Sequence, residues 1–437
     1  TYTDGFDPLG PCATALSVKV WLQGPYDAAN NLMNTDINVE LPTAQPFNQA
    51  PWNYTGTETL PSPLPTDVVD WVLVELRTDE TTSFEKAAGL LYEDGSVVAN
   101  FSGNVDQFTP YYIVVYQRNH MPVMSDAAVV PGSYTFPYDF ADLANLYGNT
   151  TGTVNQPAVE LETGVWAMIA GDVTANGLLQ YSGPANDRGP IIAKIIAEGG
   201  QNLNSTVSPG YWYEDVNMNN ELKYLGTNDD RAIIIGNLND LTTTNQLNEL
   251  YQSQVPGVFG GFKDASINDG PVNIDIESDQ LMLTATEEIS RHVMDNIQFT
   301  LAWKAGNTDA RAAVESFSSE YGLFAQGEPV IEDGIAHQMF ASIKLNKLPA
   351  SWSKGQKMDI MSFDASVEGD VWVADNTFTT HNNSMYYVSL DGEDNTGAIK
   401  TNRINPDSPA SAESIHVYPN PVTDGKLYIE VSSDNVP

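Results

Sequence analysis

Cysteine is almost absent from this chain of 437 residues: Cys12 stands alone, so no intrachain disulfide can form. Basic residues are scarce as well. Lys and Arg number 19 against 57 Asp and Glu, a formal net charge of −38. A surface of that sign repels nucleic acid and anionic membrane, and neither is expected as a partner. It suits a chain bathed in divalent cations, some of them bound at defined sites. No apolar run reaches the length of a membrane span. Catalytic signatures are missing too. His120, His292, His337, His381 and His416 stand at no metal-ligand spacing from one another, and neither a Gly-x-Ser-x-Gly elbow nor a phosphate loop occurs. No hydrolase, transferase or redox activity is expected. The chain opens at Thr1 without an initiator Met, which reads as a processed product or a piece of a longer protein.

What is present is mostly β pattern. Hydrophobic residues make up 41% of the chain, enough for ordinary globular cores. Leu16, Val18, Val20 and Leu22 alternate with polar or aromatic neighbours, and Val72, Val74 and Leu76 do the same. Leu90 to Val98 reads as a hairpin turning at Asp94-Gly95, and Tyr111–Tyr116 as a strand. Residues 42–66, rich in proline around Trp52 and Tyr54, read as a long ordered loop. Pro137 to Leu146 reads as a short helix with proline in its first turn. From Asn273 onward alternation returns at Ile274 and Ile276, then at Ile297, Phe299, Leu301 and Trp303, with further strands at Val371–Val373 and Tyr386–Leu390. The fold class expected is mainly β: two antiparallel, immunoglobulin-like sandwiches, over 1–165 and 246–395, flanking a small α-helical module over 166–245. A polar linker over 396–414 precedes a new β segment over 415–437.

The module is an internal repeat. Residues 172–192 lie over 215–235 without a gap at an offset of 43, and ten of the 21 pairs are identical, against roughly one expected by chance. Each copy opens with oxygen-bearing residues at alternate positions and reaches an Asp just before a helical run, Ile191, Ile192, Ile195 and Ile196 in one, Ile234, Ile235 and Leu238 in the other. Alternate oxygens in a tight turn suit a hard cation, whereas single Asp and Asn residues more often make turns and caps. Duplication in register favours the cation.

The duplicated loop resembles the dockerin family, whose paired units each carry an EF-hand-like calcium loop followed by a helix. The resemblance implies calcium as cofactor. It assigns Asp172, Thr174, Asn176, the carbonyl of Leu178 and Asp187 to a first ion, and Asp215, Asn217, Asn219, the carbonyl of Glu221 and Asp230 to a second. The sequence departs from the family pattern in two ways. The closing Asp comes about four residues late against a twelve-residue loop. Asn220 stands where the first copy has Gly177, a tolerable change because Asn adopts left-handed backbone. The inserted residues make Asn186 and Asp229 alternative ligands, and Asp187 and Asp230 stand where a helix cap is also expected.

The C-terminal segment Ile415–Glu430, with Pro419-Asn420-Pro421 between two strand patterns, is similar to the start of the type IX secretion sorting domain. It implies the type IX machinery as partner and an extracellular or outer-surface location on a Gram-negative bacterium. A cohesin-like identity for the second sandwich rests on architecture alone, and a generic immunoglobulin-like sandwich is the plainer reading. Tyr111, Tyr112, Tyr211, Trp212 and Tyr213 suit glycan platforms or, more commonly, cores and interfaces. The function expected is a calcium-stabilised structural or adhesive surface protein, self-associating through its module and sandwich into a filament. The alternative is the non-catalytic tail of a large secreted hydrolase, its sandwiches serving as carbohydrate-binding or spacer modules.

Overall fold

The computed structural model describes residues 14–102, 105–106, 108–130, 137–149, 155–200, 204–242, 249–257, 270–291, 293–342, 346–348 and 352–400, and the backbone of Ser414–Tyr418 and Tyr428–Ser432. The protein is mainly β.

The N-terminal strands form one seven-stranded sheet in the order His120–Met124, Tyr112–Gln117, Val68–Arg77, Ser83–Tyr92, Ser96–Phe101, Thr14–Lys19, Tyr138–Asp139. Every ladder in it is antiparallel except the last, where Val18 pairs with Tyr138 in parallel. The sheet curls around a core that gathers Leu16 and Val18, Val72, Val74 and Leu76, Val97 and Phe101, Ile113 and Val115. All ten residues of Val68–Arg77 are buried, so this strand needs cover on both faces. Residues 42–66 provide it. Phe47 and Trp52 pack on the outer residues Trp71 and Leu73, and Trp71 Nε1 donates to the Pro42 carbonyl at 3.0 Å. A proline-rich loop here stands where a second sheet was expected. Pro137 to Leu146 is not an α-helix: Tyr138–Asp139 is an edge strand, and only Leu143–Asn145 makes a 3₁₀ turn.

Residues 270–400 hold two sheets around one core. Lys357–Ser362, Gln280–Ala285, Val272–Glu277 and Thr396–Ile399 form the smaller sheet. The larger is built on Val293–Lys304, flanked by Ile335–Ser342 and Tyr387–Leu390. Ile274, Leu281 and Leu283 of one meet Ile297, Phe299, Leu301, Trp303 and Phe340 of the other. Burying each such side chain contributes about 1.5–3 kcal/mol. Two boundaries move. Thr396–Ile399, read as linker, pairs in parallel with Val272–Glu277. Leu250–Gln252, read as the start of the second sandwich, pairs with Leu178–Gln180 of the repeat. Two short helices, α3 (Thr308–Glu315) and α4 (Thr377–His381), were not expected.

Between these parts lies the repeat, with its helices α1 (Arg188–Ala197) and α2 (Asp230–Leu241). Each copy runs loop, short strand, helix. The strands are Leu178–Gln180 and Leu222–Lys223. α1 packs on the strand of the second copy, and α2 packs on the strands of both copies. Ile191, Ile192, Ile195, Ile234 and Leu238 fill the shared core with Val173, Val216, Tyr181 and Tyr224.

Candidate metal centre

The two loops share a backbone course as well as a sequence. Ala175, Gly177, Gly183 and Ala185 all have positive φ, and so do Met218, Asn220, Gly226 and Asn228, each 43 residues on. Left-handed backbone at Ala175 (φ 52°) and Met218 (φ 55°) costs about 1–2 kcal/mol apiece, so the loop course is imposed by its surroundings. Asn220 at φ 63° takes the place of Gly177 at φ 76°, as its side chain allows.

In the first loop the opening carboxylate turns back over the turn. Asp172 accepts the N–H groups of Asn176 and Gly177 at 3.0 Å each. The second loop repeats this, with Asp215 accepting from Asn219 at 3.2 Å and Asn220 at 3.0 Å. The closing carboxylates point into the same loops. Asp187 accepts from Thr174 N (3.1 Å), Thr174 Oγ1 (3.2 Å) and Gln180 N (2.9 Å). Asp230 accepts from Val216 N (2.8 Å), Asn217 N (3.3 Å) and Lys223 N (2.8 Å). The neutral oxygens are oriented likewise: Asn176 Oδ1 accepts from Leu178 N at 2.8 Å, Asn217 Oδ1 from Asn219 N at 3.1 Å, and Asn219 Oδ1 from Glu221 N at 2.9 Å. The whole assigned set is thus brought to two loops, with Leu178 and Glu221 entering their short strands.

The helix caps fall one residue earlier than the closing Asp. Asn186 Oδ1 accepts from Gly189 N at 2.8 Å and Asp229 Oδ1 from Ala232 N at 3.0 Å. The joint role expected of Asp187 and Asp230, ligand and cap together, is therefore divided between neighbours, and Asn186 and Asp229 are occupied as caps. Pairs such as Asn-Asp and Asp-Asp before a helix leave the order of those roles open to sequence reading, since either residue can cap.

Burial sets the electrostatics. Asp172, Asp187, Asp215 and Asp230 are 0–2% exposed. Burial pushes the Asp172 carboxyl up to about 7 and Asp215 up to about 6, against the pull of the N–H groups they accept. Asp187 and Asp230 lie well above the carboxylate range, first through burial and then through repulsion from Asp172 and Asp215 respectively. Two acids thus oppose each other in each dry loop. Both oxygens of Asp172 and of Asp215 hold one donor each with a lone pair to spare, and so does Oδ2 of Asp187 and of Asp230, whereas Oδ1 of Asp187 and of Asp230 accepts two donors. A divalent cation coordinated by oxygen fits that donor set. Among the described residues no cluster of three or more His, Cys, Asp or Glu forms, so an ion in either loop would have two carboxylates to hold it and would need amide, hydroxyl or carbonyl oxygens to complete its shell. Asp172 also borders a cleft of about 230 Å³ lined by Trp52, Glu75, Arg77, Lys86 and Tyr116, which gives the first loop an approach from solvent.

No family model matches this chain, and no curated protein or solved structure matches it either.

Several residues singled out in the sequence lie elsewhere. His120 is buried, its Nε2 accepting from Gly24 N at 3.1 Å, and burial holds it down at about 3, with Arg118 adding to the effect. Tyr111 lies tilted against Phe84, Tyr213 stacks on Trp52, and Trp212 is buried in the module core. Tyr211 donates to Asp70 at 2.8 Å beneath the Arg118 guanidinium. Cys12, His292 and Pro419-Asn420-Pro421 lie outside the described residues. Ser414–Tyr418 and Tyr428–Ser432 on either side of that tripeptide pair antiparallel. Sequence reasoning overlooked the Tyr-Arg stacks, Arg188 over Tyr181 at 4.6 Å and Arg231 over Tyr224 at 4.8 Å. Both were legible as identities of the repeat.

Proposed function

We propose that this chain is a secreted structural or adhesive protein of a bacterial cell surface, in which a dockerin-like repeat acts as a calcium-locked joint between two β units. One observation carries the reading: each copy buries an opposed pair of carboxylates, with the same N–H donors at the same offset. A buried like-charged pair is destabilising unless a cation or protons compensate it, and two independent copies have kept it. The two sheets around one core over 270–400 support an immunoglobulin-like unit there. The antiparallel pairing of Ser414–Tyr418 with Tyr428–Ser432 supports a type IX sorting segment, and with it export to the outer surface of a Gram-negative bacterium.

The joint reading draws on how the module is packed. The closing half of its first loop meets the C-terminal unit, and the opening half of the first loop and the second loop meet the N-terminal unit, so both engage partners within the chain. That favours an intramolecular joint over recognition of a second copy. Titration calorimetry of the intact chain tests the reading. Two calcium ions should bind at about 10⁻⁴–10⁻³ M, the range of extracellular modules. Absence of calcium heat, with an unchanged melting temperature in chelator, defeats it.

A further inference from the structure

We infer that the two loops divide the work, the first controlling the joint to the C-terminal unit and the second the joint to the N-terminal unit. This rests on calcium occupying both loops, as proposed above.

The first loop reaches the C-terminal unit through its closing half, while Asp172 and Ala175 of its opening half lie beside Trp52 of the N-terminal unit. Ser182 Oγ donates to Gln298 Oε1 at 3.1 Å, Asn186 Nδ2 to Tyr387 Oη at 3.2 Å, and Arg188 Nη2 to the Asp295 carbonyl at 3.1 Å. Asn186 and Arg188 flank Asp187, whose carboxylate is held by Thr174 and Gln180. An ion that pins Asp187 therefore positions both residues that reach across. Arg188 is wholly buried, with Nε and Nη1 unpartnered, and Asp295 Oδ2 is unpartnered too. This surface therefore buries a guanidinium and a carboxyl group with unpartnered atoms on both, an arrangement that is costly unless the two compensate each other.

The second loop uses its opening half. Asn119 Nδ2 donates to the carbonyls of Tyr213 and Asp215, both at 2.8 Å, and Asn220 Nδ2 donates to the Asp36 carbonyl at 3.3 Å. Met218 inserts its side chain into the N-terminal core from a left-handed backbone. Gly24 is so close to this loop that a Cβ there would lie 2.3 Å from the Val216 carbonyl. The contacts of Asp215, Val216 and Met218 fall at or between ligands 215, 217 and 219, and those of Tyr213 and Asn220 lie within two residues of them. Slackening that turn withdraws Met218 from its core position and the Asp215 carbonyl from Asn119.

The consequence is separable control. Hydrogen–deuterium exchange of the intact chain, followed across a calcium titration, reads the joints apart. Peptides over 293–304 and 384–392 report the C-terminal joint, and peptides over 20–24 and 112–121 the N-terminal one. Thr174→Ala should raise the calcium needed to protect the C-terminal joint by about tenfold and leave the other midpoint in place. Asn219→Ala should do the reverse. Neither removes a buried charge, so both variants are expected to fold, and circular dichroism in calcium confirms it. Equal shifts at both joints for either variant overturn the division while leaving calcium binding intact. Absence of calcium heat overturns this inference together with the reading beneath it.

Discussion

Thermal unfolding of the intact chain in calcium and in chelator, compared at about pH 5 and about pH 8, tests the opposed carboxylates directly. Without calcium, folded Asp172 titrates at about 7 and Asp215 at about 6, while the unfolded chain titrates near 3.8. The folded state then holds more protons, so these groups contribute stability at low pH that is lost as pH rises through their folded values. Calcium bound as proposed would displace those protons. At roughly 10 mM calcium and a Kd of about 10⁻⁴ M, each loop gains about 2.7 kcal/mol at the upper pH, or about 5.5 kcal/mol together. At the lower pH one displaced proton weakens the first loop about 100-fold and the second about tenfold. The gains fall to about 0.4 and about 1.4 kcal/mol. The calcium-minus-chelator difference should therefore shrink by about 4 kcal/mol on acidification, and protons on Asp187 and Asp230 deepen the loss. Titration of His120 is common to both arms and cancels. A difference that is the same at both pH values refutes the pairing of ion and carboxylates, and so does chelated protein whose calcium-independent stability shows no contribution from these loops on substitution of Asp172.

Asp187→Ala and Asp230→Ala should each lose more calcium-dependent stabilisation than Thr174→Ala, because each Asp supplies charge and two accepting oxygens; equal small losses in melting experiments would mean the ion sits elsewhere. His120 is held neutral at about 3 against an ordinary 6.5, so the unfolded chain takes up a proton that the folded one refuses. Stability in saturating calcium should fall by about 1.4 kcal/mol per unit of acidification below 6.5, and His120→Gln should flatten that slope in denaturant titrations. Asn119→Ala leaves the carbonyls of Tyr213 and Asp215 without their buried donor and should cost about 2–4 kcal/mol by chemical denaturation. A cost below about 0.5 kcal/mol would show that this junction bears little load.

The repeat was the most legible part of the chain because its information is local. Identities at a fixed offset mark the turn, the short strand and the helix start, and Gly177 and Asn220 take the left-handed backbone that such residues favour. The hairpin was legible for the same reason, with Gly95 at φ 81° after Asp94. Strand existence was readable from alternation, but sheet membership was not. Val68–Arg77 is buried on both faces, and nothing within those ten residues says that one cover is a proline-rich loop. The pairing of Leu250–Gln252 with Leu178–Gln180 joins residues some seventy apart, which no local pattern announces. α3 and α4 did carry signals: Asn307 caps the first, and Asn376 with Thr379 forms a capping box on the second. They were short enough to pass as turns. The polar face of Val293–Lys304, with Asp295, Asn296, Gln298 and Thr300, was a better clue to the second joint than any of its aromatics. A buried strand rarely carries so many polar residues unless another polar surface meets it.

At the start of α1, Gly189 faces Gly392 of the C-terminal unit with no side chain between them. A Cβ on Gly392 would lie 2.2 Å from the Gly189 carbonyl, and one on Gly189 would lie 3.0 Å from that of Gly392. Gly392 is also left-handed, at φ 82°. Two backbones in contact leave nothing to trim, so enlarging one partner cannot be offset by shrinking the other. The usual route of compensating exchange between neighbouring residues is closed here. The approach of the helix to the C-terminal unit is thus fixed by backbone alone, and a change of side chains elsewhere in that unit leaves this point of contact where it is.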